Sequence, residues 1–393
     1  MSTFSFSNDV KILFGDHALD NLPYELKEHD CSRPLFVCDE RSYRLGFAKE
    51  VKRALDNDMI GYAFFYRKIS EKASPKDCDA IVDLYQTYDC DGIIALGGEN
   101  VVQSAKIAKL MLIQGVGDFV YFKHKSEMDA DKGLYREVPL FILPSDIPSG
   151  IEASDRAMIF DEKNNVFYNF NSVLTRASAV FLDVRLTDIM PAKAMATAGL
   201  GALAMGVKGF VENSGNPIAL AYATSAIHTI MGELLPAMRH NSNSDYRISI
   251  YSSIINAGIA YYGIKESLLR DIVNELSLRT ELSALNVLSI IFPYYYKTKV
   301  NKDRVFKSVL MPIAGEEQYA LTNAKSREVV ALDKLKEFWQ KVVLLADIPS
   351  TLHETGIEQS DFVKIADAVI TRYRGTDPHN NFTTIVHLLE EAF

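Results

Sequence analysis

Apolar and polar positions in the first half of the chain alternate between two periods. Short apolar runs start at Lys11 and cover Pro34–Asp39, Ile60–Tyr66, Ile93–Leu96 and Leu140–Ser145, each short enough for a strand buried on both faces. Between them Leu22–Lys27, Arg41–Asn57 and the segment opened by Ser74-Pro-Lys-Asp carry helical spacing, with Ser before Pro marking a helix start. Strands alternating with helices predict a parallel sheet. Arg156–Asp161 and Val166–Phe170 suit a hairpin across Glu162-Lys-Asn-Asn165. The polar segment His124–Glu137 reads as a surface loop.

Beyond Asp183 the pattern changes. Pro191–Val211, Ala219–Met238, Tyr246–Ile264 and Ser267–Leu276 carry helical periodicity, and no β alternation returns. The expected architecture is an α/β, dinucleotide-binding-like domain over residues 1–185 and an all-helical domain over 186–393. Ala194–Gly209 is crowded with Ala and Gly, which predicts a deeply buried helix that other backbones approach closely.

The stretch Asp91-Gly-Ile-Ile-Ala-Leu-Gly-Gly-Glu-Asn-Val-Val-Gln-Ser-Ala-Lys106 reads as strand, glycine turn and helix start. Asn100 followed by Gln103 has the form of a capping box. Phosphates bind at such turns in dinucleotide folds, yet the same turn is common in α/β proteins that hold no nucleotide. A carboxylate at Glu99 opposes a pyrophosphate unless it points away. Asp39, at the end of the second strand, either accepts the hydroxyls of an adenine ribose or caps the next helix.

With 393 residues, 48% hydrophobic and 24% charged, the chain has the composition of a two-domain globular protein. A net charge of -9 argues against nucleic acid or an anionic membrane as the main partner. The N-terminus lacks a basic start and an apolar core, and no run approaches the length of a membrane span, so the expected location is the cytosol. Cys31, Cys38, Cys78 and Cys90 form no C-x-x-C pair and read as reduced packing residues.

The order of these pieces resembles the iron-containing alcohol dehydrogenase family, which shares its fold with glycerol dehydrogenase and dehydroquinate synthase. Asp91–Asn100 is similar to the family's Gly-Gly-Gly-Ser turn, and Pro144-Ser-Asp-Ile-Pro-Ser-Gly-Ile-Glu152 to its Pro-Thr-Thr-x-Gly-Thr-Gly-Ser-Glu loop. Leu186–Pro191, Ala346–Ile357 and the segment from Asp377 resemble later family segments. The resemblance implies a small-molecule substrate, a homodimer, and NAD held near Asp39, Gly97, Gly98, Asn100, Ser145 and Gly150, in a cleft also lined by Gly201 and Arg270. Against the cofactor stand Glu99 and Pro148 in place of glycines, and Phe167 where the family has a cofactor-facing Lys.

The family's divalent metal is held by one Asp and three His. Those ligands fall here on Gly201, Met205, Arg270 and Ala284, and a further cleft His falls on Asn274. Gly and Ala offer no donor, Met is soft, and Arg does not deprotonate, so no bound catalytic metal is expected. Arg270 and Asn274 share the polar face of their helix, where a fixed guanidinium could stand in for the metal; the alternative is a solvated surface. Met205 reads as packing; Lys208 and Tyr294–Tyr296 offer proton donors, with helix-end packing as the plainer reading of the tyrosines. Two functional readings follow: a metal-independent, NAD-dependent oxidoreductase of a small alcohol and its carbonyl, with Arg270 and Asn274 at the reacting centre, or a non-catalytic relative that binds a small ligand or builds an oligomer.

Overall fold

A computed structural model describes residues 6–123, 137–187, 191–213, 215–264, 267–280, 282–298, 300, 305–372 and 378–393. The chain forms two compact units: Ser7–Met190 with Ser242–Tyr251, and Phe6 with Pro191–Asn241 and Ser252–Phe393. The expected loop at 124–136 and residues 188–190 and 377 of the family-like segments lie outside the described residues.

The first unit runs β1 (Lys11–Gly15), α1 (Leu22–Glu28), β2 (Pro34–Cys38), α2 (Glu40–Arg44), α3 (Phe47–Asn57), β3 (Phe64–Tyr66), α4 (Pro75–Thr87), β4 (Gly92–Gly97), α5 (Glu99–Ile113), α6 (Phe119–Phe122), β5 (Leu140–Pro144), β6 (Arg156–Asp161), β7 (Val166–Asn171) and β8 (Ala179–Asp183). Six strands form one sheet in the order β1-β8-β5-β4-β2-β3, and every neighbouring pair is parallel. β2, β4, β5 and β8 are buried at every position, as their unbroken apolar runs require. Phe36, Leu96, Phe141 and Phe181 project from them into one core with Leu22, Val51 and Leu55. The hairpin β6–β7 forms as expected, with Asn165 in the left-handed region at φ 48°.

Three local expectations are corrected. Arg41–Asn57 is two helices, because Gly46 takes φ +86° and turns the chain between them. The strand foreseen over Ile60–Tyr66 is confined to Phe64–Tyr66: Met59 enters the left-handed region and the Ile60 N–H returns to the Leu55 carbonyl at 3.0 Å, so these residues close α3. β8, which the sequence reading passed over as the end of a domain, is a full member of the sheet between β1 and β5.

α4 begins where the Ser-Pro signal places it. The Ser74 hydroxyl accepts the Asp77 N–H, and the Asp77 carboxylate accepts the Ser74 N–H at 3.1 Å, a complete capping box. All four cysteines are free and buried.

The second unit holds α7 (Ala192–Glu212), α8 (Pro217–Arg239), α9 (Ser244–Tyr262, whose first turns belong to the first unit), α10 (Leu268–Arg279), α11 (Ala284–Lys297), α12 (Leu310–Leu321), α13 (Arg327–Ala346), α14 (Phe362–Arg372) and α15 (Pro378–Glu391). No strand follows β8 among the described residues. α7 is the central helix, buried from Met195 to Val211 save for Thr197. Its glycines are where neighbours come closest: a Cβ on Gly199 would lie 2.5 Å from a Leu234 methyl, and one on Gly209 would lie 2.7 Å from the Ala260 Cβ.

One expectation about length also fails. α7 and α8 are each long and apolar enough to cross a membrane by length and composition. For α7, 89% of the apolar window is buried inside the protein, against 33% for α8. A helix enclosed by others must be apolar on most sides, so the composition of α7 follows from its central place in the bundle.

Gly209→Ala tests this packing with two effects of opposite sign. Helix propensity alone would stabilise the variant by about 1 kcal/mol. Overpacking against the Ala260 backbone costs ~1–3 kcal/mol. Net destabilisation is therefore expected in urea unfolding, and a more stable variant would mean that α7 and α9 are not in close contact.

Candidate cofactor-binding site

Because the sheet is parallel, β2, β4 and β5 end side by side at one edge, with β4 in the middle. Such carboxyl edges are where open α/β sheets hold ligands. Asp39 leaves β2 with only 8% of its surface exposed. Its Oδ1 accepts the Ser42 N–H at 2.6 Å and its Oδ2 accepts the Gly98 N–H at 3.1 Å. Of the two readings for this acid, the helix cap is therefore what the fold displays, and the same carboxylate holds the glycine turn.

Gly97 has no room for a side chain, since a Cβ there would lie 2.7 Å from Asp39 Oδ2 and 2.8 Å from the Val101 Cβ. A Cβ on Gly98 would lie 2.8 Å from Asp146 Oδ2. Ser145, 1% exposed, donates its N–H to the Gly97 carbonyl at 3.0 Å, and its hydroxyl lies 2.6 Å from that of Ser42. Asp146 forms an ion pair with Arg41. Thus the loops after β2 and β5 meet over the end of β4. Gly150 takes φ +84°, which explains a glycine in the loop that follows.

The expected capping box on α5 does not form. Gly98 is the N-cap, no side chain caps the helix, and α5 starts two residues earlier than the Asn100–Gln103 pattern requires. Asn100 instead donates its side-chain amide to the Ser70 carbonyl at 2.6 Å, and Gln103 donates to Glu99 at 2.9 Å while its carbonyl accepts the Met158 N–H. Tertiary partners outbid the local cap.

Glu99 thus opens α5, half-buried. Burial, joined by repulsion from Glu152 and eased by Gln103, pushes its carboxyl up to about 7. Glu152 is 2% exposed; its Oε1 accepts the Ser149 N–H at 3.1 Å, and Oε2 has no protein partner. Burial raises its pKa too, countered chiefly by the Ser149 N–H and then by other backbone N–H groups and Lys106. Lys106, fully enclosed, donates to the carbonyls of Ile151, Ser154 (2.8 Å) and Arg156 (3.1 Å). This buried clamp holds the loop that carries Gly150 and Glu152. Lys106 and Asp146 lie inside the two motifs with no sequence signal for these roles, and Arg41 lies in neither motif.

Phe167, half-buried on β7, packs on Phe160 with ring centroids 5.2 Å apart, and Pro148 is buried.

The residues marked for catalysis lie in the helical unit. Arg270 is half-buried on α10; its N–H bonds the Ser267 hydroxyl at 3.3 Å, and its guanidinium donates to the Ile264 carbonyl at 3.1 Å, just past α9. Asn274 is 5% exposed. Neither residue is a freely solvated surface group. Lys208 lies 2.8 Å from Glu212 and 2.9 Å from the Tyr295 hydroxyl; burial works against its charge, but these two neighbours outweigh burial and raise its pKa. Tyr296 donates its buried hydroxyl to the Ala204 carbonyl at 2.8 Å, and Tyr294 meets Trp339 edge to face. The tyrosines pack the helical core, as their plainer reading had it.

The four positions that resemblance assigns to metal ligands do not fit a metal. Met205 is fully buried, and Gly201 is closed: a Cβ there would lie 2.8 Å from the Leu285 carbonyl oxygen and 3.0 Å from the Leu285 Cα. The backbones of α7 and α11 meet where the family places its carboxylate. Among the described residues no group of three or more His, Cys, Asp or Glu side chains has metal-binding geometry.

Sequence comparison agrees with this architecture. Residues 9–184 match the model of the iron-containing alcohol dehydrogenases, and residues 195–393 match that of the Fe-containing alcohol dehydrogenase family, C-terminal. The chain belongs to the iron-containing alcohol dehydrogenase family. Similar proteins include the choline dehydrogenase of Bacillus subtilis (strain 168), 24% identical over 65% of this chain and 63% of that one. The NAD-dependent methanol dehydrogenase of Bacillus methanolicus is 21% identical over 90% of each chain. Among solved structures, an alcohol dehydrogenase from Oenococcus oeni superposes with a TM-score of 0.86 at 19% identity, covering 100% of both chains.

Gly201→Asp should destabilise the protein by ~3 kcal/mol, because it combines overpacking with a buried charge, and it should not restore metal binding. Urea unfolding and elemental analysis read both outcomes. The raised pKa of Glu99 carries its own sign. The folded state keeps the proton at pH values where the unfolded state has lost it, so stability falls as pH rises from 4.5 to about 7. Thermal melts across that range should show the wild type losing ground to Glu99→Gln, and parallel pH profiles would contradict the assignment.

Proposed function

We propose that this protein is an NAD-dependent oxidoreductase that interconverts a small alcohol and its aldehyde or ketone without a catalytic metal. The observation that carries the reading is the uncapped start of α5 behind Gly97 and Gly98, at the carboxyl edge of a family-typical parallel sheet. Free N–H groups and the helix dipole at that point suit a phosphate. The NAD dependence of a relative matched over 90% of this chain supports the choice of nicotinamide. A bound nicotinamide would supply or accept the hydride. Around it Asp39, Gly97, Gly98, Ser145 and Gly150 would hold the turn in shape, with Asn100 securing the neighbouring loop.

A second reading, a family member kept for ligand binding or assembly, is favoured by one feature: α7 and α11 close the metal position at Gly201. Titration with NADH and NADPH, followed by fluorescence, and turnover assays on short alcohols and aldehydes separate the two. Nicotinamide binding with turnover in protein stripped by a chelator supports the oxidoreductase. Binding without turnover leaves the second reading.

Arg270 is the residue we propose for stabilising a developing alkoxide, with Asn274 one turn along the same helix. Arg270→Ala should lower kcat/KM by roughly a hundredfold, the scale of a lost oxyanion donor, with NADH affinity unchanged. If the guanidinium only clasps the Ile264 carbonyl, the variant will lose thermal stability and keep its turnover per folded molecule.

A further inference from the structure

The carboxyl edge of the sheet carries a contact that the cofactor reading alone does not explain. β4 lies between β2 and β5, so any link from the loop after β2 to the loop after β5 passes over the glycine turn. Among the described residues two such links are made. The Ser42 and Ser145 hydroxyls lie 2.6 Å apart, and Arg41 is ion-paired with Asp146. The Asp146 carboxylate sits directly on Gly98, where a Cβ would lie 2.8 Å from Oδ2. A carboxylate oxygen therefore lies beside the N-cap residue of α5 without capping the helix, close to the end where an anion would be favoured.

We propose that Arg41 and Asp146 form a latch over the glycine turn, and that the cofactor's pyrophosphate opens it by displacing Asp146 and taking over Arg41. The inference rests on the cofactor reading above and adds Arg41 and Asp146 to the residues that govern binding. Charge and exposure both favour an exchange. The Asp146 carboxylate pairs with Arg41 and would repel a phosphate that arrives. The two side chains are 49% and 41% exposed, so solvent screens the pair and little is lost when it parts. A guanidinium freed from its single hydrogen bond to Asp146 can then meet two phosphate oxygens through parallel hydrogen bonds. The buried Ser42–Ser145 link, by contrast, stays as the fixed part of the bridge.

Asp146 stands where the resemblance places a threonine, so the latch belongs to this chain's own sequence. Glu99 adds a second carboxyl beside the turn without touching Arg41. That separation allows the two acids to be tested independently.

The test is NADH binding by fluorescence titration of the full chain at low ionic strength. Asp146→Ala should bind NADH roughly tenfold more tightly than wild type, since a repelling carboxylate and a competitor for Arg41 are removed together. Asp146→Asn keeps the shape and loses the charge, and should share the gain; melting temperatures check that both variants fold. Arg41→Ala in the Asp146→Ala background should erase the gain. NADPH serves as the parallel probe, and a gain confined to NADPH would place Arg41 on the 2′-phosphate and overturn the assignment to the pyrophosphate. If wild type binds NADH and neither Asp146 variant binds it better, the latch is wrong and the cofactor reading stands. If wild type and both variants all fail to bind NADH, the cofactor reading falls and the latch falls with it.

Discussion

The carboxylate of Asp39 is the interaction that ties together the carboxyl edge of the sheet. One oxygen accepts a backbone N–H from the first turn of α2, and the other accepts the N–H of Gly98. Charge-assisted hydrogen bonds of this kind contribute ~1.5–3 kcal/mol each, and here they act on two different segments at once. Without the acid, the end of β2 and the turn after β4 would lose their common anchor, and two N–H groups in a buried setting would be left without partners. The tie also explains Gly97, whose missing Cβ makes space for Asp39 and Val101. Asp39 thus helps to fix where α5 begins, through the N–H of its N-cap residue Gly98.

What surrounds that anchor is electrostatically divided. The start of α5 is a natural home for an anion, yet Glu99 and Asp146 lie against it and Glu152 is buried nearby. Arg41 and Lys106 answer two of these charges in different ways: Arg41 is half-exposed and paired, while Lys106 is enclosed and held by backbone carbonyls. The result is a sheet edge with the family's fold and a charge pattern of its own. A fold and the chemistry placed on it can change separately.

The helical unit makes the same point through packing. In the family a metal ligand projects from the central helix, whereas here that position is a glycine against which the Leu285 backbone rests. Losing a donor would leave a hole if nothing moved in, and protein interiors do not keep such holes cheaply. The close approach of α7 and α11 leaves no room for a side chain at Gly201.

Much of this was legible along the chain. The apolar runs identified β2, β4 and β5 because a strand buried on both faces leaves no polar position to confuse the pattern, and Ser74-Pro-Lys-Asp marked α4 because its cap closes within four residues. The Ala and Gly crowding of α7 foretold close packing, since small side chains have that one consequence in a buried helix. Readings failed where a residue's partner is distant in sequence. Asn100 had the look of a cap and went to Ser70; β8 became a strand through β1 and β5; Gly46 divided what periodicity alone had joined. The acid at Asp39 was visible in the sequence and its role was not, because cap and ligand demand the same residue type. Local periodicity and capping chemistry, which act over a few residues, were settled by the sequence itself. The meeting of Asp39 with Gly98, of Arg41 with Asp146 and of Gly201 with Leu285 depends on which strands and helices lie side by side, and only the tertiary structure decided it.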